Sequence, residues 1–107
     1  MDDATFDKIA RDELSYIEEQ LMDVDPDDVE VTSSDGVLKL DLRDGVRVVI
    51  NSHRAARQIW MAAVANAWKF DLDERDGRWR LPGDSTVELR ATIRSVVKQR
   101  IAVELPL

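Results

Sequence analysis

The side chains best suited to chemistry in this chain are carboxylates, and they crowd one end. Residues 1–30 hold twelve Asp and Glu against two Lys and Arg, a local balance of −10. Residues 31–107 hold ten acidic and thirteen basic side chains, a balance of +3, so the formal −7 of the whole chain conceals an asymmetry. At about 100° per helical residue, Asp12, Tyr16, Glu19 and Asp23 fall along one line, and Glu18 lies on a neighbouring line with Asp7. Asp25, Asp27, Asp28 and Glu30 continue the run. Like charges four residues apart cost a few tenths of a kcal/mol each, and only Lys8 (reaching Asp12) and Arg11 (reaching Asp7) offset them. Carboxylates without thiolates or imidazoles suit hard cations such as Ca²⁺, Mg²⁺, Mn²⁺ and oxidised iron. The same acids also serve solubility alone. Spacing leaves both uses open.

Other chemistries find less support. "DVDPDD" (23–28) begins like a calcium loop, but its sixth position is Asp28 instead of Gly and its twelfth is Ser34 instead of Glu. No cysteine is present, which excludes disulfides, thiolate metal sites and a cysteine nucleophile. His53 is the only histidine and is expected as a solvated residue of a polar connection. There is no G-x-S-x-G and no glycine-rich phosphate loop among four Gly, so no enzyme activity is expected. The acidic balance argues against nucleic acid, whose phosphates need a basic footprint. No apolar run approaches the ~20 residues of a membrane helix. "MDDATFDKIARDE" lacks the basic and apolar regions of a secretory signal, so a cytoplasmic location without membrane attachment is expected.

These residues need elements to hold them. Phe6, Ile9, Ala10, Leu14, Ile17 and Leu21 recur at three- and four-residue steps and predict a helix over 3–23, ended by Pro26. A strand-rich centre follows: "VEVTSS", then "GVLKLDL" (36–42), then "GVRVVIN" (45–51) across an Asp44-Gly45 turn. "RQIWMAAV" (57–64), "AWKFDLD" (67–73) and "GRWRL" (77–81) complete it, with connections too short for parallel pairing. Ser85 and Glu88 have the spacing of a capping box, so a second helix is expected to begin near "DSTVE" and continue through Leu89, Ile93, Val96, Val97 and Ile101. The tail "AVELPL" is read as extended chain laid on the domain. The expected architecture is a single α+β domain over 1–107, a two-layer sandwich. Two terminal helices cover one face of a five- to six-stranded antiparallel sheet.

Trp60 stands out within that frame. If Ile59 faces the helices, strand alternation puts Trp60 on the open face beside Asn51 and Gln58, where an exposed Trp is most often a contact residue. If the phase is reversed, Trp60 is core. Periodicity alone does not choose.

Taken in order, these pieces resemble the frataxin family in its bacterial form, over nearly the whole chain. The likeness runs from "F…IEEQL" (Phe6, Ile17, Glu18, Glu19, Leu21) and "DVDPDD" through "DGVLKLDLRDGVRVVIN" to Asn51 followed by Gln58-Ile59-Trp60. "WKFD" (68–71) and Trp79 follow before the second helix. The chain departs from the family at Met22, Ser52, Ala55 and Ala65-Asn66-Ala67. The resemblance implies a protein of iron–sulfur cluster assembly that binds iron (Fe²⁺ or Fe³⁺) weakly, with other hard divalent cations as alternatives. Its carboxylates would be Asp7, Asp12, Glu18, Glu19, Asp23, Asp25, Asp27, Asp28 and Glu30. It further implies contact with a cysteine desulfurase and a cluster scaffold through Asn51, Gln58 and Trp60, as a monomer or an iron-dependent oligomer. A small acidic secretion-type chaperone is the rival of another class, and iron oxidation is a third reading.

Overall fold

In the computed structural model, which describes residues 1–107, helix α1 spans Asp3–Gln20. The Asp2 carboxylate accepts from the Thr5 N–H at 2.8 Å, occupying a donor that the first turn leaves unpaired. Phe6, Ala10, Leu14 and Ile17 are buried as the spacing requires. The helix stops short of the expected residue 23. Past Gln20 the chain tightens into i→i+3 bonds, Met22 N–H to the Glu19 carbonyl and Val24 N–H to that of Leu21, while Leu21 turns into the core. Asp23 therefore lies beyond the helix and off the line of Asp12 and Glu19.

Seven strands follow: β1 (Val29–Ser34), β2 (Val37–Leu42), β3 (Arg47–His53), β4 (Gln58–Ala63), β5 (Asn66–Asp73), β6 (Arg78–Leu81) and β7 (Asp84–Glu88). They form one antiparallel meander whose spatial order is the chain order. The link from β2 to β3 is looser than a two-residue Asp44-Gly45 turn. Leu42 N–H reaches the Val46 carbonyl at 2.9 Å across three intervening residues, and Gly45 supplies the positive φ of 90°.

The strand count exceeds the expectation by one, because β7 occupies the stretch assigned to the start of the second helix. Pro82 and Gly83 (φ 93°) turn the chain between Leu81 and Asp84, the residue order of a type II turn. β-Branched Thr86 and Val87 then continue as an edge strand on β6. Helix α2 begins only at Leu89 and ends at Ile101, and its cap is Glu88 instead of Ser85. The Glu88 carboxylate accepts from Arg90 N–H at 3.0 Å and Ala91 N–H at 3.1 Å.

Leu89, Ile93, Val97 and Ile101 of α2 are buried with the α1 stripe on the same sheet face, against Leu38, Leu40, Leu42, Val48, Ile50, Ile59, Met61, Phe70 and Trp79. A buried ion pair ties the helices together: Arg90 Nη2 lies 2.7 Å from Glu13 Oε1, and the guanidinium stacks 4.0 Å over the Tyr16 ring. The tail lies on the domain as expected, with Leu105 buried and Arg94 Nη1 donating to the Leu107 carbonyl at 2.5 Å. The opposite sheet face carries no helix.

Candidate metal edge and partner-binding face

The nine candidate carboxylates divide into groups once their neighbours are known. Asp7 and Asp12 are engaged by cations. Lys8 Nζ holds Asp12 at 2.7 Å, as the spacing predicted. Asp7 is held by Arg54, from the 3₁₀ turn Arg54–Ala56 that follows β3, and not by Arg11. The Arg54 hydrogen bond is also the main reason the Asp7 carboxyl sits below its ordinary pKa. Arg57, just past the same turn, pairs with Asp3 at 2.6 Å. Asp28 is half-buried and paired with Arg43, whose Nη2 also reaches the Ile101 carbonyl at 2.6 Å.

The remaining acids are freer. Glu18 accepts from Ser33 Oγ at 2.8 Å, which joins the C-terminal half of α1 to β1. Asp25 uses one oxygen to accept from the Asp27 N–H at 2.9 Å, closing the turn between α1 and β1. Glu19, Asp23, Asp27 and Glu30 are exposed. Glu30 lies opposite Asp41 across β1 and β2, and Arg47 (2.6 Å) neutralises Asp41. The fold thus gathers these acids along the end of α1, the following turn and the edge strand β1, but no three carboxylate or imidazole side chains converge on one point. A donor set of separate, mostly exposed carboxylates fits a hard cation held by one or two ligands and water. It does not form a rigid cage.

The open sheet face answers the question of strand phase. Ile59 is 0% exposed in the core, whereas Trp60 is half-buried on the helix-free side. The register places Asn51, Trp60 and Lys69 side by side on β3, β4 and β5. Trp60 is held from several directions. Its Nε1–H donates to Gln58 Oε1 at 2.9 Å, and Gln58 Nε2 donates to Asp71 Oδ1 at 2.9 Å. Lys69 Nζ sits 4.6 Å from the indole centroid, and the His53 ring stacks on it at 3.9 Å with planes 14° apart. His53 is therefore a half-buried residue at the end of β3, not the solvated loop residue expected.

Two participants were missed by sequence reading. His53 pairs with Gln58 in the β3–β4 register, which puts it diagonal to Trp60; matching Asn51 to Trp60 in a tight hairpin would have revealed it. Glu13 was counted only among the acids, yet it lies on the stripe of Phe6, Ala10 and Ile17. An acid at such a position demands a buried partner, which Arg90 supplies.

Fold and surfaces together define a small α+β domain with a carboxylate edge and an aromatic platform on its bare sheet face. The chain matches the frataxin-like domain over residues 1–103 and belongs to that family. The iron-sulfur cluster assembly protein CyaY of Pseudomonas fluorescens (strain Pf0-1) is 30% identical over 96 residues, covering 87% of this chain and 86% of the relative. The solved frataxin from Psychromonas ingrahamii shares the fold with a TM-score of 0.88 over 98% of this chain and 96% of that one, at 20% identity. Trimeric frataxin from Saccharomyces cerevisiae, complexed with ferrous iron, superposes with a TM-score of 0.71 at 28% identity, over 89% of this chain and 87% of that one.

Proposed function

We infer that this protein binds iron weakly as cargo and serves iron–sulfur cluster assembly, donating iron to the cysteine desulfurase and scaffold complex or regulating it. The observation that carries the reading is the separation of two surfaces on one small domain. Glu18, Glu19, Asp23, Asp25, Asp27 and Glu30 would take the ion at the edge, with Asp28 limited by Arg43. Asp7 and Asp12 would contribute only by displacing Arg54 and Lys8. Because no three of these groups converge, iron would exchange readily, and binding would weaken with salt as exposed charges are screened. Asn51, Gln58 and Trp60 would meet the partner on the sheet face, with Trp60 as the anchor. The relative described as a trimer with ferrous iron keeps iron-dependent assembly within the reading. A secretion chaperone finds no support here, since the apolar stripe of α1 is buried in the protein's own core.

Equilibrium binding to the host's own desulfurase–scaffold complex tests the reading. Trp60→Ala is expected to weaken binding by about 2 kcal/mol, roughly thirtyfold. Glu19→Gln/Asp23→Asn/Asp25→Asn should lose most iron binding while melting at or slightly above the wild-type temperature, because like-charge repulsion is relieved. Undiminished binding by the Trp60 variant would overturn the interface; undiminished iron uptake by the triple variant would overturn the edge.

A further inference from the structure

We propose that His53 is a positioning residue that locks Trp60 while neutral and releases it when protonated, so that partner binding at the sheet face is proton-sensitive. This rests on the sheet-face reading above. The lock has two parts. The imidazole lies nearly parallel on the indole, 3.9 Å between centroids. Its own orientation is fixed by Nδ1, which accepts from the Ala56 N–H at 3.3 Å and so caps the turn Arg54–Ala56. That turn is pinned to α1 by Arg54 on Asp7 and Arg57 on Asp3. Trp60 is thus held in place before any partner arrives, which lowers the entropy lost on binding.

An acceptor nitrogen cannot also carry a proton. A proton on Nδ1 would face the Ala56 N–H, donor against donor, so the ring loses the cap that sets its angle on the indole. The charged groups around the platform are mostly paired with one another. Lys69 of β5 lies over the indole, and Arg54 and Arg57 flank the turn, although Asp7 and Asp3 of α1 pair with those two arginines. Asp71 of β5 is engaged by Gln58, and Arg80 of β6 lies next in that row, held by Asp73 and Asp76. Imidazole is the side-chain class that exchanges a proton between pH 5 and 8, which sets the range over which the lock is tested.

The test is affinity for the desulfurase–scaffold complex between pH 8 and pH 5.5, measured for wild type, His53→Phe, His53→Ala and Trp60→Ala. His53→Phe keeps a ring on the indole without a titratable nitrogen, and comparison on the same partner cancels the partner's own titration. On acidification, wild-type binding should weaken roughly threefold to tenfold more than that of His53→Phe, the scale of immobilising one large side chain. His53→Ala should bind more weakly than wild type at pH 8, with His53→Phe restoring most of the loss. In the free protein, the Trp60 indole N–H resonance should move over the same range in wild type and stay fixed in His53→Phe. An identical pH slope in wild type and His53→Phe, or full wild-type affinity of His53→Ala at pH 8, would overturn the positioning role. Full affinity of Trp60→Ala would instead remove the sheet-face reading, and this inference with it.

Discussion

Ile59 and Trp60 are neighbours on β4 with opposite surroundings, and that contrast makes the sharpest mutational comparison at the residue scale. Ile59→Ala leaves a cavity in a closed core and should cost about 2–5 kcal/mol. Trp60→Ala removes a half-exposed ring and its stacking contact with His53, and should cost only about 1 kcal/mol. Urea melts of the two variants check the order, and a larger loss for Trp60→Ala contradicts the assigned phase. Glu13 gives a second prediction. Breaking its buried pair with Arg90 by Glu13→Ala leaves a guanidinium without its partner and should cost roughly 3–5 kcal/mol, whereas Glu13→Leu with Arg90→Leu should recover most of that. Thermal denaturation of the single and double variants checks it; equal losses would mean the pair itself is not the cause. The phase of Trp60 was not legible beforehand because Ile59 and Trp60 are both apolar and alternation has no sign of its own. The stacking of His53 on Trp60 was hidden for a different reason, since it depends on the register between two strands.

At the scale of elements, periodicity found both helices and six of the seven strands, because long apolar stripes and alternating runs are set by burial on one face. It failed where two local signals competed. Ser85 and Glu88 have capping-box spacing, but the Pro82-Gly83 turn and β-branched Thr86 and Val87 gave the segment to β7. Of the four junctions that hold a non-glycine residue at positive φ, two place an apolar one there, which the sequence alone does not advertise. Val64 (φ 57°), between β4 and β5, and Ala102 (φ 58°), after α2, occupy the left-handed region, which costs a residue with a side chain about 1 kcal/mol. Val64→Gly and Ala102→Gly should therefore each raise stability by roughly that amount in chemical denaturation, and a loss in both would show that the backbone does not hold these angles. Acid sensitivity also belongs to the junctions. Asp7 is lowered chiefly by its Arg54 hydrogen bond, Asp76 by Arg80 and Asp44 by the Val46 N–H. Carboxyls with depressed folded pKa values contribute stability that is complete above the unfolded value near ~4 and lost as pH falls through the folded values. Stability should thus decline below about pH 4, and Arg80→Gln should flatten that decline; an unchanged acid limb would show that the Asp76 pair contributes nothing to it.

At the scale of the whole molecule, the freer acids and the aromatic platform occupy separate surfaces. The excess of acids in residues 1–30 was plain in the sequence, but which of them are free was not, because Arg54 and Arg43 come from distant segments to hold Asp7 and Asp28. The resulting surface places its freer acids at the end of α1, the following turn and β1, away from the aromatic platform of β3, β4 and β5. Titration of the ¹⁵N-labelled protein with Fe²⁺ under anaerobic conditions tests this arrangement most directly, read as residue-by-residue broadening of the amide and indole signals. Broadening should centre on residues 18–30 and fade with added salt, while the Trp60 indole and the His53 amide stay sharp. Broadening centred on His53 and Trp60, or spread evenly over the chain, would contradict it.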